Sequence, residues 1–406
     1  MRLLKILVVL LIIMSGLSTS AVADTLPIDR STAIKKALRN LPEILVQTNV
    51  VKKAQSDYYN SFNNKANVEA ILSMDDRLDE LQYKDGLTNE EELELQFLCA
   101  VLKTSLSNDE VYNLTISSET AVDNAAYILE LNSASLQTLK NNILLNINSL
   151  INNLSKLDKT ILLKKEMIQN LELSYNKSVL KYNLGKLSQT DLKQQYINLQ
   201  KERIQANNLG YQREIVANNI HKAIGEIPTI HYDGFTHDEK LDLDIKGLDT
   251  YLNTAISQRR DIINAKRFYD MQQRVYKITQ RFYPWTTDIS NMDATLNLED
   301  AKNTLDSMTL EIQEEVQDAY KDTQNKLNNM IAAEYRKNIN EAKYNEMLSR
   351  YNLGSLTDIE LSNAYINYCN SKIEYTYSQY DLYQSKLVLL NACGYDLLKV
   401  EGDYNE

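Results

Sequence analysis

Apolar residues recur in alternating steps of four and three through the middle of the first half of the chain. The positions of this series are Ile143, Ile147, Leu150, Leu154, Leu157, Ile161, Ile168, Leu171, Tyr175 and Tyr182. Only Lys164 and Ser178 interrupt it. Such spacing is typical of a coiled-coil seam, so it predicts one long helix over about 121–184. A partial second apolar stripe predicts neighbours on two sides, as in a bundle or a closed helical barrel.

A weaker seam in the second half predicts a second long helix, over about 300–353. Its members are Ile312, Val316, Ala319, Met330, Ala333, Tyr344, Met347 and Tyr351. A turn and a returning helix follow each long helix, over about 188–224 and 357–392. The long helices would measure about 95 and 80 Å, and the returning ones only about 55 Å. We therefore expect the helices after Pro42 and Asp261 to stack end to end with the returning helices.

The two halves of the chain are similar to each other. The segment Lys181–Asn198 aligns without a gap with Arg350–Asn367, at an offset of 169 residues, and Ile34–Ile44 aligns with Leu252–Ile262. Internal similarity of this kind indicates a duplicated structural unit. The predicted segments are a signal peptide at 1–23, a first repeat at 24–225, a linker at 226–247, a second repeat at 248–394 and a C-terminal tail at 395–406.

Composition favours an all-α fold, because the chain contains only 10 Gly and 4 Pro. A β-rich chain usually uses more of both in its turns. The YNLG sequence in each half has the chemistry of a helix stop. Gly185 and Gly354 can take the left-handed conformation that ends a helix, and the hydroxyls of Ser188 and Thr357 can cap the next one.

The N-terminus carries the features of a secretory signal peptide. Arg2 and Lys5 precede a short apolar run, and Ala21-Val22-Ala23 matches a small-residue cleavage site. The run is shorter than the ~20 residues of a membrane-spanning helix. We therefore expect the chain to be exported and to act in the cell envelope.

The openings and turns of the two halves, taken together, resemble those of the TolC family of outer membrane efflux proteins. Each motif alone is weak, but four of them occur in the family's order over nearly the whole mature chain. The matching openings are Ala37 with Asn40-Leu41-Pro42-Glu43-Ile44, and Ala255 with Arg259-Arg260-Asp261-Ile262. The matching turns are Lys181-Tyr182, Gly185, Ser188 and Asp191, and Arg350-Tyr351, Gly354, Thr357 and Glu360.

The resemblance implies a homotrimer whose twelve helices enclose a tunnel. It also implies that the hairpin tips dock a HlyD/MacA-type adaptor and, through it, an inner-membrane pump of the ABC or RND class. The docking residues it implies are Lys181, Tyr182, Gly185, Leu187, Ser188, Arg350, Tyr351, Gly354, Leu356 and Thr357. Asp358 and Glu360 are candidates for a tunnel gate, although a solvated turn explains them equally well.

The chain departs from the family where membrane β-strands are expected. The segment 61–120 is acidic and has helical periodicity, and Phe282–Lys302 is short and polar. We therefore predict that membrane strands are reduced or absent, which leaves membrane association open. A secreted coiled-coil scaffold without a pore is the alternative function, and a soluble sensory or ligand-binding bundle is a third.

Other chemistry is sparse. A formal net charge of −11 disfavours a nucleic-acid partner. The three cysteines form no metal or redox motif, and His231 and His237 lie in the linker at a spacing that fits no strong metal site. We interpret the acidic group around Asp75 and Asp76 as a solvated helix face. No catalytic motif occurs, so we expect neither enzymatic activity nor a cofactor.

Overall fold

A computed structural model describes residues 30–226 and 244–400 of the chain. These residues form ten α-helices and contain no β-strand, in agreement with the predicted all-α fold. The helices are α1 Arg30–Asn40, α2 Pro42–Gln82, α3 Asn89–Leu102, α4 Asn108–Asn183, α5 Gln189–Ala223, α6 Leu248–Gln258, α7 Arg260–Phe282, α8 Ile289–Asn352, α9 Asp358–Ala392 and α10 Leu397–Val400. The signal peptide, His231, His237, most of the linker and residues 401–406 lie outside the described residues.

Single extended residues separate the short opening helices from the helices that follow them. Leu41, between α1 and α2, has φ −76° and ψ 119°, a conformation that the following Pro42 favours. Arg259 takes nearly the same conformation between α6 and α7, with φ −61° and ψ 120°, although no proline follows it. The breaks predicted near Pro42 and Arg260 are therefore confirmed.

The helices form an open row on two levels. On the lower level, which ends at the two hairpin tips, the order across the row is α5, α4, α9, α8. On the upper level the order is α2, α4, α7, α8, and α3 packs on the end of α2. The long helices α4 and α8 run through both levels. The predicted stacking of α2 and α7 end to end with α5 and α9 is thus confirmed.

Two apolar clusters form where the levels meet, and corresponding positions of the two halves build them. One cluster lies among α1, α4 and α5, and the other lies among α6, α8 and α9. The corresponding buried pairs are Ile143 and Ile312, Ile147 and Val316, Ile220 and Leu389, Ile224 and Cys393, and Ala37 and Ala255. The same pattern of apolar residues thus fixes each returning helix to its long helix.

The two interruptions of the first seam lie inside the protein. Lys164 is buried and pairs with the buried carboxylate of Glu202, and it also donates to Gln205 Oε1 at 3.0 Å. Ser178 is buried as well. The heptad pattern therefore continues through both positions, with an ion pair taking the place of an apolar contact at Lys164.

In the acidic group on α2, Asp76, Asp79 and Glu80 are exposed as expected of a solvated face, but Asp75 is not. Asp75 is buried, and its Oδ1 accepts a hydrogen bond of 2.7 Å from the backbone N–H of Leu106. It fixes the segment that leads into α4, and sequence spacing alone did not show this partner. Among the described helices, none combines the length and the apolar composition that crossing a membrane requires.

Candidate docking site at the hairpin tips

Both hairpin tips turn through the same backbone motif. Gly185 has φ +68°, and the N–H groups of Gly185 and Lys186 donate to Tyr182 O and Lys181 O, each at 2.8 Å. In the second tip Gly354 has φ +74°, and the N–H groups of Gly354 and Ser355 donate to Tyr351 O at 2.9 Å and to Arg350 O at 3.0 Å. This pair of bonds defines a Schellman motif, which needs a left-handed residue and so favours glycine.

A hydroxyl caps the helix that leaves each tip. Ser188 Oγ accepts from the N–H of Asp191 at 3.1 Å at the start of α5. Thr357 and Glu360 form a complete capping box at the start of α9, with bonds of 2.9 and 3.3 Å. The bond from the Thr357 N–H lowers the pKa of the Glu360 carboxyl below its usual value of 4.5. Glu360 is therefore ionised at neutral pH and serves the cap.

Asp358 connects the two hairpins. Its side chain is only 5% exposed, and it accepts an ion-paired hydrogen bond from Lys181 Nζ of the first tip. Its other oxygen accepts from Tyr351 Oη at 2.6 Å. That bond raises the pKa of Tyr351 to about 12, because the carboxylate stabilises the protonated phenol. Lys181 also lies 5.7 Å from the centre of the Tyr351 ring.

The structure therefore groups some of the predicted site residues and separates others. Lys181, Tyr351 and Asp358 are in mutual contact, so the interpretation of Asp358 as part of a solvated turn is wrong. Arg350 is exposed, and its guanidinium lies 3.6 Å from Glu346 one turn earlier on α8. The side chains of Leu187 and Leu356 are half-buried.

Two exposed leucines at the tips escaped the sequence analysis. Leu353 is 84% exposed and Leu184 is 70% exposed, and each directly precedes the glycine of its turn. They occupy equivalent positions in the two halves, and each extends an apolar side chain into solvent. A leucine directly before the glycine in both turns, where the glycine ends the helix and the side chain has no helix to pack on, was the signal that could have identified them.

The fold can be compared with that of known proteins. No protein-family model and no curated protein sequence matches the chain. Solved structures do match it. The match to the outer membrane protein VceC from Vibrio cholerae covers 90% of this chain and 96% of VceC, at 12% identity and a TM-score of 0.59. The match to CusC, whose structures are described in connection with transmembrane channel formation, covers 93% of this chain and 95% of CusC, at 12% identity and a TM-score of 0.60.

The Neisseria gonorrhoeae MtrE outer membrane channel, in its open state, matches with a TM-score of 0.59 at 13% identity, over 89% of its chain and 91% of this one. The described chain therefore has the helical fold of TolC-like outer membrane channels. At these identities the likeness establishes the fold, and it confirms the resemblance at that level.

Proposed function

We propose that this protein is the exit-tunnel component of a tripartite efflux or type I secretion system in the cell envelope. It would dock a HlyD/MacA-type adaptor through its hairpin tips and receive substrate from an inner-membrane pump of the ABC or RND class. The likeness to outer membrane channels over about nine-tenths of the chain supports this proposal. Transport through the tunnel would be passive, with energy supplied by the pump.

The observation that carries the docking proposal is the matched pair of tips. Each tip presents one exposed leucine beside a glycine turn, and both tips lie side by side at the end of the lower level. Leu184 and Leu353 therefore offer two equivalent apolar contacts to one partner. We add them to the predicted docking residues and expect them to contribute more than the half-buried Leu187 and Leu356, because binding removes more of their surface from water.

For the gate, Asp358 is the stronger of the two candidates. Its ion pair with Lys181 ties one hairpin to the other, so opening a tunnel at this end would require that bond to break, and Tyr351 of its own hairpin holds the carboxylate in place. Glu360 is occupied in the cap of α9 and would affect the gate only through the position of Asp358.

Photo-crosslinking in the native host tests the docking proposal. A benzoyl-phenylalanine placed at Leu353 should form an adduct with an adaptor that mass spectrometry identifies as HlyD/MacA-type. The matched control is the same probe at Leu310, which is also well exposed on α8 but lies far from the tip. If the probe at Leu353 gave no more adduct with that adaptor than the probe at Leu310, the docking proposal would be contradicted.

A functional comparison separates the channel from the scaffold alternative. Changing Leu184 and Leu353 together to aspartate should abolish export, measured as susceptibility to toxic compounds and as the secreted-protein profile, without unfolding the protein. A deletion strain with unchanged susceptibility and an unchanged secreted-protein profile would favour the coiled-coil scaffold.

A further inference from the structure

A cavity of about 1160 Å³ lies where the two levels meet, between α4 and α7. The ends of α6 and α9, part of α8 and the short helix α10 also contribute residues to its wall. Sites that hold small molecules usually measure roughly 300–1,000 Å³, so the cavity has room for such a ligand. It lies about 60 Å along α4 from the first tip, so the docking proposal leaves it unassigned.

The charged residues of the cavity wall pair with one another. The wall contains three basic and four acidic residues, and each has a partner of opposite charge within the wall. The pairs are Arg259 with Asp261 and Glu315 at 2.6 and 2.9 Å, Arg260 with Glu130 at 3.2 Å, and Lys399 with Asp396 at 3.9 Å. An ionic ligand would have to separate these pairs to gain a counter-charge, so the wall favours a neutral ligand.

One polar side chain of the wall has no partner. Asn264 is only 4% exposed, yet neither its Nδ2 nor its Oδ1 makes a hydrogen bond to any described residue. Polar groups buried to this degree nearly always have a partner. The carboxamide therefore offers one donor and one acceptor side by side. Two adjacent hydroxyls of a sugar complement this pair, because one hydroxyl can accept while the other donates.

Aromatic rings of the wall lie close to this carboxamide. Phe268 follows Asn264 by one turn on the same face of α7, and its ring centre lies 5.7 Å from that of Tyr127 on α4. The face of an aromatic ring carries partial negative charge, and the C–H groups of a sugar ring carry slight positive charge. A sugar ring can therefore pack on this pair of rings while its hydroxyls bond to Asn264.

The rest of the wall presents neutral hydrogen-bonding groups. Five such side chains are exposed, and they are Ser135, Thr138, Asn142, Gln258 and Thr304. A ligand with many hydroxyls can bond to several of them at once. An apolar molecule of the same size would instead leave the polar atoms of Asn264 without a partner, at a cost in affinity.

The first half of the chain has no equivalent of this arrangement. At the offset of 218 residues, Val46 and Val50 on α2 correspond to Asn264 and Phe268 on α7. Both valines are exposed and apolar. The duplicated helical frame therefore forms without the carboxamide and without the ring, so the two residues are specific to the second half.

We propose that this cavity binds a neutral carbohydrate. Two adjacent hydroxyls would bond to the Asn264 carboxamide, and the ring that carries them would pack on Phe268 and Tyr127. Soluble oligosaccharides and the glycan strands of the cell wall both carry this chemistry, and the experiment separates the two sources. The proposal does not depend on docking or export, so sugar binding by a chain that fails both of those tests would leave it standing.

A glycan array probed with the purified full chain tests the class of ligand. The array carries neutral oligosaccharides and their acidic analogues, in which a carboxylate replaces the hydroxymethyl group of each sugar. Neutral glycans should bind, and isothermal titration should show the best of them to bind about tenfold or more tightly than its acidic analogue. If no neutral glycan bound, or if the acidic glycans bound better, the proposal would be overturned.

Asn264→Leu tests the assigned residue, because leucine has nearly the same shape and no hydrogen-bonding atom in its side chain. It should weaken binding of the best glycan about tenfold or more, while the melting temperature stays at or above that of the parent, since two unpartnered polar atoms are removed. The matched control is Asn253→Leu, on the exposed side of α6 and outside the cavity, which should leave the affinity unchanged. Unchanged affinity in Asn264→Leu, or an equal loss in both variants, would overturn the proposal.

Co-sedimentation with purified cell-wall sacculi separates the two sources of the ligand. If the chain sediments with sacculi and an excess of the best soluble glycan releases it, the ligand is the glycan of the wall. If the chain binds the soluble glycan and does not sediment with sacculi, the ligand is a soluble oligosaccharide. Sedimentation that neither the soluble glycan nor Asn264→Leu reduces would place the wall contact outside this cavity, and together with a negative array it would overturn the proposal.

Discussion

The bonds of Asp358 show how a single residue can link two hairpins that are far apart in sequence. Lys181 and Asp358 are 177 positions apart, and the same carboxylate also holds Tyr351 of the preceding helix. Sequence motifs identified all three positions as tip residues, but they could not show that one buried carboxylate joins them. That contact depends on α4 and α9 being neighbours, which follows from the packing of the whole row.

The pKa of Tyr351 should respond to this carboxylate. Replacing Asp358 by Asn removes the negative charge that disfavours the phenolate, so the Tyr351 pKa should fall from about 12 toward the usual value of 10.0. NMR titration of ¹³C-labelled tyrosine measures this shift, with Tyr351→Phe to assign the resonance. An unchanged pKa in the Asn variant would mean that Asp358 does not accept this bond in solution.

Two glycines of the lower level should respond in opposite ways to alanine. Gly210 lies inside α5 with open space around a would-be Cβ, so Gly210→Ala should stabilise the protein by about 0.5–1 kcal/mol. Gly354 has φ +74°, so Gly354→Ala should destabilise it by about 1–2 kcal/mol despite equally open space. Urea denaturation of both variants gives the free energies of unfolding. Equal shifts in the two would contradict this reasoning.

Among the helices, long apolar seams predicted most of α4 and α8, and the YNLG turns predicted the starts of α5 and α9, although α8 begins at Ile289 and not near 300. The seam placed the start of α4 at about 121, whereas the helix begins at Asn108. The helical turns between Asn108 and about 121, which the prediction left out, are partly polar. The capping box of Ser107 with Glu110 fixes where they start. Local capping chemistry therefore determines this helix end where the seam gives no signal.

The buried ion pair of the first hairpin could not be predicted from the seam, because Glu202 lies on a different helix from Lys164. Lys164→Met would leave the Glu202 carboxylate buried without its partner, so it should cost about 3–5 kcal/mol of unfolding free energy. Changing both residues to Leu should restore stability to within about 1 kcal/mol of the parent. Urea denaturation of the single and double variants measures both effects.

The second hairpin provides the control for this pair. Its equivalent positions hold the small buried residues Ala333 and Ser371, and its nearby pair Arg336–Glu374 is exposed on both sides. Arg336→Met should therefore change the unfolding free energy by less than about 1 kcal/mol. If Lys164→Met cost no more than Arg336→Met, burial would not control the strength of these pairs.

At the scale of the molecule, two continuous helices set the shape of the row. Helices α4 and α8 each cross both levels, so the upper and lower helices beside them cannot separate without losing contact with a continuous neighbour. The duplicated pattern of apolar residues predicted this plan. It could not give the order of helices across the row, because that order depends on contacts between the two halves.

The overall dimensions provide a test that links the single chain to its assembly. With 76 residues, α4 alone measures about 114 Å, so the protomer should have a radius of gyration of about 33 Å, compared with about 21 Å for a compact chain of this size. Small-angle X-ray scattering measures this value. Copies that join side by side, as in the proposed homotrimer, add mass without adding length, so the maximum dimension of a trimer should stay within about 10% of the protomer's. Copies joined end to end would instead add about one protomer length for each further chain, and that result would contradict a side-by-side trimer even if the mass corresponded to three copies.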